Sequence, residues 1–408
     1  MSTAAHELHR SLTKPVLVQL AGAAFCAIVS FALTVWLARV LGTTSFGDYI
    51  ACLNLAAVAL IFQEGGWPAW LYRARAQSAE PLPVSQTAWA WGHMLWATVL
   101  LMALAWCLPA PAASWAALLC MGAVALMNGV SSLMRGAGLF AQEAMWQSAG
   151  RMASAVVIVG FVAGQPSPEL TGIFLAWAAG LAVVLAWGAR TWLSWPRWPW
   201  AEGWQPMRRR YQQLWPFVLM AACGAWLVKG DMVLIHGQAV ASVDASLYAA
   251  CTRLTEAGLL VFAPFANVLF RQFNQLQTTR PEDLTRWGLR SASLALLVGA
   301  IGWGLTWWLG DALMAGLFGN AFAPAGALLP WVMAMWPLAM VNMVLAQWLT
   351  ARGQERDVSL IMLLAAVFLT ACLPWWLKLW GLPGAALAVV AAQALQLGGS
   401  AWRLRHRA

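Results

Sequence analysis

LTVWLARVLGTTSFGDYIACLNLAAVALIFQEGG, residues 33–66, holds two apolar runs joined by a short polar turn, and its ionisable side chains are Arg39, Tyr49, Cys52, Asp48 and Glu64. A helix that crosses about 30 Å of hydrocarbon takes about 20 mainly apolar residues. With the apolar residues before it, the segment reads as a membrane hairpin: one span over 16–38, an outer turn, and a second span over 47–70.

The same pattern repeats outward from this hairpin. Of 408 residues, 62% are hydrophobic and 10% are charged, whereas a soluble domain carries about a quarter charged residues. Polar stretches are too short to hold an appended globular domain of about 50 residues or more. Ten further spans are expected over 87–109, 112–134, 149–165, 170–193, 214–236, 246–269, 288–310, 325–349, 358–379 and 383–403. The first apolar run is full length and is followed at once by more spans, so no cleavable signal is expected.

Loop charge tests that count, because Lys and Arg gather on the cytoplasmic side of a membrane. Twenty of the 24 basic residues fall on one face of the twelve-span arrangement, among them Arg73, Arg75, Arg135, Arg151, Arg208, Arg209, Arg210 and Arg290. Arg39 and Lys378 fall on the other, and Lys229 and Arg253 lie within spans. Both termini are therefore expected in the cytoplasm.

The formal net charge of +9 is punctuation between apolar runs, which argues against a nucleic-acid partner, since that requires a clustered water-facing patch. The seven cysteines lie in apolar segments without a C-x-x-C pair, so neither a disulfide framework nor a zinc site is expected. No G-x-x-x-x-G-K-[ST] loop is present to hold a nucleotide triphosphate. The sequence thus calls for no cofactor, no metal and no catalytic residue, and any driving force is ionic or comes from a substrate gradient.

Laid over each other, the halves match in span number and polarity. The first outer turn, LGTTSFGDYIAC (41–52), corresponds to HGQAVASVDASLYAAC (236–251), with Tyr49 and Tyr248 each followed by a small residue and a cysteine. The expectation is an all-α polytopic membrane protein of about 12 transmembrane helices in two six-helix lobes around a central cleft, an arrangement known among transporters. The lobes would span 1–193 and 214–408, with a cytoplasmic linker over 194–213.

The segment 33–66 also resembles the opening signature of polysaccharide-transport proteins, in which an Arg-Leu-Gly turn and a Phe-Gly-x-Tyr step join the first two helices. KGDMVLIHG (229–237), SLYAACTRL (246–254), LMAGLFGNAFAPAGALLPWV (313–332), LTARGQERD (349–357) and GLPGAALAVVAAQAL (381–395) resemble later landmarks of the same family in the same order. The resemblance implies a Wzx-type flippase of the multidrug/oligosaccharidyl-lipid/polysaccharide (MOP) exporter superfamily, in the bacterial cytoplasmic (inner) membrane. It further implies a polyprenyl-diphosphate-linked glycan as substrate, such as an O-antigen repeat unit, with membrane lipids and polysaccharide assembly proteins (polymerase, chain-length regulator) as partners. A cation-site pattern of the multidrug exporters is not found in the first half. A small-molecule exporter of the same superfamily is the alternative. A membrane glycan ligase or polymerase fits less well, because such enzymes carry a large outer loop.

Charged side chains inside spans are costly and mark function by default. Lys229 and Arg253 read as a cationic, substrate-binding part of the cleft, with Glu64, Asp231 and Glu256 for ion coupling or charge balance. The competing reading is a set of structural ion pairs, Arg253 with Glu256 or Asp231 with a partner. Arg39 reads either as a phosphate contact or as a partner of Asp48. Arg208, Arg209 and Arg210, near Trp198, Trp200 and Trp204, read either as an interfacial attractor of anionic lipid or as charge that fixes topology. Most of the 29 Trp residues, Trp67, Trp70, Trp307, Trp308, Trp375 and Trp380 included, are expected in interfacial belts.

Overall fold

A computed structural model describes residues 3–77, 80–107, 113–189, 204–238 and 240–406. Helices account for nearly all of it: α1 (Thr3–Glu64), α2 (Trp67–Gln77), α3 (Val84–Cys107), α4 (Ser114–Gly136), α5 (Phe140–Ala163), α6 (Leu170–Ala189), α7 (Trp204–His236), α8 (Ser242–Thr279), α9 (Pro281–Phe318), α10 (Ala325–Met333), α11 (Trp336–Ala351) and α12 (Glu355–His406). No strand occurs among the described residues. Lipid offers backbone groups no hydrogen bonds, so chains this apolar satisfy them internally as helices.

Nine apolar stretches among the described residues are long enough to cross a membrane, and two of these, 44 and 52 residues long, have length for two crossings each. With the 38-residue α8 the total is about twelve. The two long stretches bend at Gly42 (φ 65°, ψ −173°) and Gly381 (φ 64°, ψ −151°). That backbone region is essentially closed to residues with a Cβ, so each glycine marks where one continuous helical record contains two spans.

Two expected spans need correction. Span two does not run to residue 70: α1 stops at Glu64, Gly65 and Gly66 both take positive φ, and α2 starts at Trp67. The break removes the helical partner of the Phe62 carbonyl, which instead accepts from His93 Nε2 at 3.0 Å. With that proton on Nε2, Nδ1 is the acceptor for the Tyr211 hydroxyl at 2.8 Å. Burial pushes the Tyr211 phenol upward, so it remains a donor. Span five starts earlier than expected, at Phe140, so Arg151 lies inside α5 over the Trp177 ring and not in a loop. Span ten stands as one apolar stretch, Ala325–Ala351, built of two short helices, α10 and α11, with Pro330 inside the first and Pro337 at the start of the second.

The chain forms two compact units, Met1–Leu33 with Ala59–Val218, and Thr34–Val58 with Leu219–Ala408. In the first, α4 is the most enclosed helix and packs against α2, α3, α5 and α6. Small residues let rings approach its neighbours: Gly129 lies under Trp91, and Gly188 under the buried Trp146. In the second, α10 and α11 occupy the interior against α8, α9 and α12, with Phe273, Leu284, Val344 and Trp348 at the core. Residues 34–58 add Phe46, whose ring meets Phe318 and Phe322. Between membrane helices, close packing of this kind is the main attraction, because lipid tails are as apolar as the core.

Of the tryptophans expected in interfacial belts, Trp307, Trp308, Trp375 and Trp380 are exposed, but Trp67 is fully buried against Trp70 and Tyr211. Of the cysteines, Cys52, Cys120, Cys223 and Cys251 are buried and Cys107 is exposed. The first half of the expected linker, 194–203, falls outside the described residues, and 204–213 form the start of α7.

Candidate functional site

Charged residues converge where α7, α8 and the second half of α1 meet in the second unit. Lys229 and Asp231, two positions apart on α7, point to different neighbours, as 100° per residue requires. Lys229 Nζ reaches Glu256 Oε2 at 2.9 Å. From the next helix, Arg253 Nη2 meets the other oxygen, Glu256 Oε1, at 3.0 Å, one turn along α8. The same Nη2 donates a short hydrogen bond to Asn54 Oδ1 on α1.

Two cations, Lys229 and Arg253, share the Glu256 carboxylate. Two donors in this cluster, Arg253 Nε and Asn54 Nδ2, are buried without a hydrogen-bond partner among the described residues. A buried donor without an acceptor costs about 1–3 kcal/mol. Two unsatisfied donors beside two cations describe a place suited to a ligand rich in acceptors.

Asp231, which lines the same cavity as Glu256, brings the four charged side chains to formal neutrality. Its Oδ2 accepts from the Tyr248 hydroxyl at 2.8 Å and its Oδ1 from the Met232 amide at 2.7 Å, and it is buried. A small cavity beside it is lined by Tyr248, Thr252, Thr255 and Glu256.

The other predicted residues lie elsewhere. Arg39 does not pair with Asp48: its Nε and Nη2 donate to the carbonyls of Leu317 and Gly316, at 2.9 and 2.7 Å. Those carbonyls end α9, where helices leave acceptors free and the dipole is negative, so a guanidinium fits them. Asp48 instead faces His236 Nδ1 at 3.5 Å. Glu64 is in the first unit, where its Oε1 accepts from Asn128 Nδ2 at 2.7 Å. Arg208 is exposed, Arg210 lies 4.9 Å over the Trp70 ring, and the side chain of Arg209 is outside the described residues, as are Trp198 and Trp200 and the side chain of Trp204.

Sequence reasoning missed Asn54 and the pairing of Tyr248 with Asp231. A signal for the first existed: the offset that aligns Tyr49 with Tyr248 also aligns Asn54 with Arg253.

The family profile described as "Polysaccharide biosynthesis protein" matches residues 12–277, which is more than half of the chain. The chain belongs to this polysaccharide biosynthesis family. No curated protein sequence matches it significantly. Among solved structures it is similar to "Lipid II flippase MurJ, inward closed conformation", with TM-score 0.76 and 10% identity, covering 95% of this chain and 87% of that one. It is also similar to an inward-facing multidrug resistance MATE family transporter of the MOP superfamily, with TM-score 0.69, 13% identity and coverage of 95% and 97%. A MOP superfamily transporter from Pyrococcus furiosus gives TM-score 0.60 at 14% identity, with 97% and 94% covered. The fold of this family member is therefore that of MOP superfamily transporters, and the chain is a multi-pass membrane protein.

Proposed function

We propose that this protein is a flippase that carries a polyprenyl-diphosphate-linked oligosaccharide, such as an O-antigen repeat unit, from the cytoplasmic to the outer leaflet of a bacterial inner membrane by alternating access. In this reading both termini are cytoplasmic, residues 1–193 and 214–408 are the two lobes, and 194–213 joins them. The observation that supports it most is the Lys229, Arg253 and Glu256 cluster, with two cations and two buried donors, Arg253 Nε and Asn54 Nδ2, left unsatisfied. A diphosphate supplies the acceptors that these groups lack. Membership in a polysaccharide biosynthesis family and the likeness to a lipid II flippase point the same way.

The superfamily also contains multidrug transporters, so a small-molecule exporter has the fold in its favour. The unsatisfied donors beside Lys229 and Arg253 speak against a cationic drug, which brings no acceptors for them. The test is reconstitution into liposomes containing undecaprenyl diphosphate linked to an oligosaccharide, with no ATP present. Protein-dependent movement of the glycan to the opposite leaflet is expected. Efflux of a cationic dye without glycan movement would reverse the assignment in favour of the exporter.

A further inference from the structure

A second polar cluster lies in the first unit, and the diphosphate reading does not use it. Asn128 Nδ2 donates to Glu64 Oε1 at 2.7 Å. Gln147 Nε2 donates to Ser131 Oγ at 2.6 Å and to Asn128 Oδ1 at 3.3 Å. The run continues along α4 and α5, where Ser132 Oγ donates to the Asn128 carbonyl at 2.9 Å and Arg135 Nη2 to Ser132 Oγ at 3.3 Å. Arg135 Nε faces Glu143 Oε1 at 3.9 Å, and Gln19 Nε2 donates to Glu143 Oε2 at 3.5 Å.

Three features separate this cluster from a structural staple. Glu64, Asn128 and Gln147 are only half-buried, although all three lie in helices long and apolar enough to span a membrane. Polar groups left open at such positions line water or a polar ligand, because hydrocarbon would penalise them. Glu64 Oε2 and Gln147 Oε1 accept no hydrogen bond among the described residues, although Arg135 acts on the Glu64 charge, so two acceptors stand open beside the amide donors. Finally, Asn128 turns its nitrogen toward Glu64, and Gln147 turns its nitrogen toward Ser131. Donors thus occupy the positions where a bound cation would need oxygens.

We infer that Glu64, Asn128 and Gln147 form a subsite for sugar hydroxyls, and this rests on the lipid-linked glycan reading above. A hydroxyl both donates and accepts, so a vicinal pair matches a carboxylate beside a carboxamide: it donates to Glu64 Oε2 and Gln147 Oε1 and accepts from Asn128 Nδ2.

The experiment compares affinities in nanodiscs for two probes: undecaprenyl diphosphate, and the same lipid carrying N-acetylglucosamine or galactose. The wild-type protein is expected to prefer a glycosylated lipid by about tenfold, the worth of one or two net hydrogen bonds. Glu64→Gln, which preserves shape, and Gln147→Leu are each expected to bring that ratio close to one. Lys229→Gln should weaken both probes and keep the ratio. An unchanged ratio in both first-unit variants overturns the subsite, as does a wild-type protein that binds all probes equally. A sodium dependence of binding that Glu64→Gln abolishes also overturns it, in favour of a cation site. A wild-type protein that binds none of these lipids defeats the flippase reading itself, a result distinct from the others.

Discussion

Asn54 and Arg253 stand 199 positions apart and are joined side chain to side chain. Gly47 and Ser246, also 199 apart, are joined from the Gly47 amide to the Ser246 hydroxyl at 2.7 Å. Two contacts at one offset mean that this part of α1 and the start of α8 run parallel and in register for seven residues, about 10 Å of helix. Equivalent positions of the internal repeat thus touch each other within the second unit. Tyr49 and Tyr248, and Cys52 and Cys251, share the offset and are buried on the same two helices.

The first prediction concerns that seam. A Cβ on Gly47 would stand 2.8 Å from the Ser246 amide nitrogen and 3.1 Å from the Ala245 carbonyl carbon, both backbone atoms that cannot swing aside. Gly47→Ala is expected to cost about 1–3 kcal/mol, the usual range for overpacking. A lowered thermal midpoint in detergent checks it, and an unchanged midpoint would mean that the helices separate freely at this point.

Removing a cation from the shared carboxylate should impair transport more than folding. Lys229→Gln and Arg253→Gln each leave Glu256 one charged partner, so membrane abundance is expected to persist while flipping per folded molecule falls. Arg253→Lys keeps the charge and should retain part of the function, with the fork geometry lost. If abundance and flipping instead decline together, and an exchange of Arg253 with Glu256 restores both, the residues are structural.

Tyr248→Phe removes the donor to Asp231 Oδ2 in a buried site. Leaving that acceptor unsatisfied is expected to cost about 1–3 kcal/mol. Asp231→Asn in the same background should recover part of the loss, since the neutral amide is cheaper to leave buried. Denaturation of the single and double variants measures both steps.

Orientation is predicted by the basic loops. Reporter fusions after Arg75 and Arg290 should be cytoplasmic, and fusions after Gln165 and Gly237 should lie outside. A reversal at any later site would alter the number of spans before it.

Much of the fold was legible because apolar runs of span length dominate the chain, and hydropathy reads length well. It does not read backbone angles. The run 47–70 stays apolar through Gly65, Gly66 and Trp67, so the helix break there was hidden, although a Gly-Gly pair is itself a turn signal. Ionisable residues inside spans stood out by cost alone, which made Lys229, Arg253, Asp231 and Glu256 candidates. Neutral amides such as Asn54, Asn128 and Gln147 carry no comparable mark, and their importance comes from partners 199, 64 and 16 positions away. The pairing of Arg39 with Asp48 failed for a related reason: the partners of Arg39 are backbone carbonyls of α9, which no side-chain pattern reveals.

The pairing of Asn54 with Arg253 also sets a timetable for biogenesis. At about 5–20 residues per second of synthesis, the 199 residues between them take about 10–40 s to emerge. Asn54 therefore enters the bilayer well before its partner has been translated, with its amide exposed to lipid or held by the insertion machinery. The outer part of α1 reaches its final burial only after α8 has been inserted, which makes the seam a late, post-insertional step in assembly.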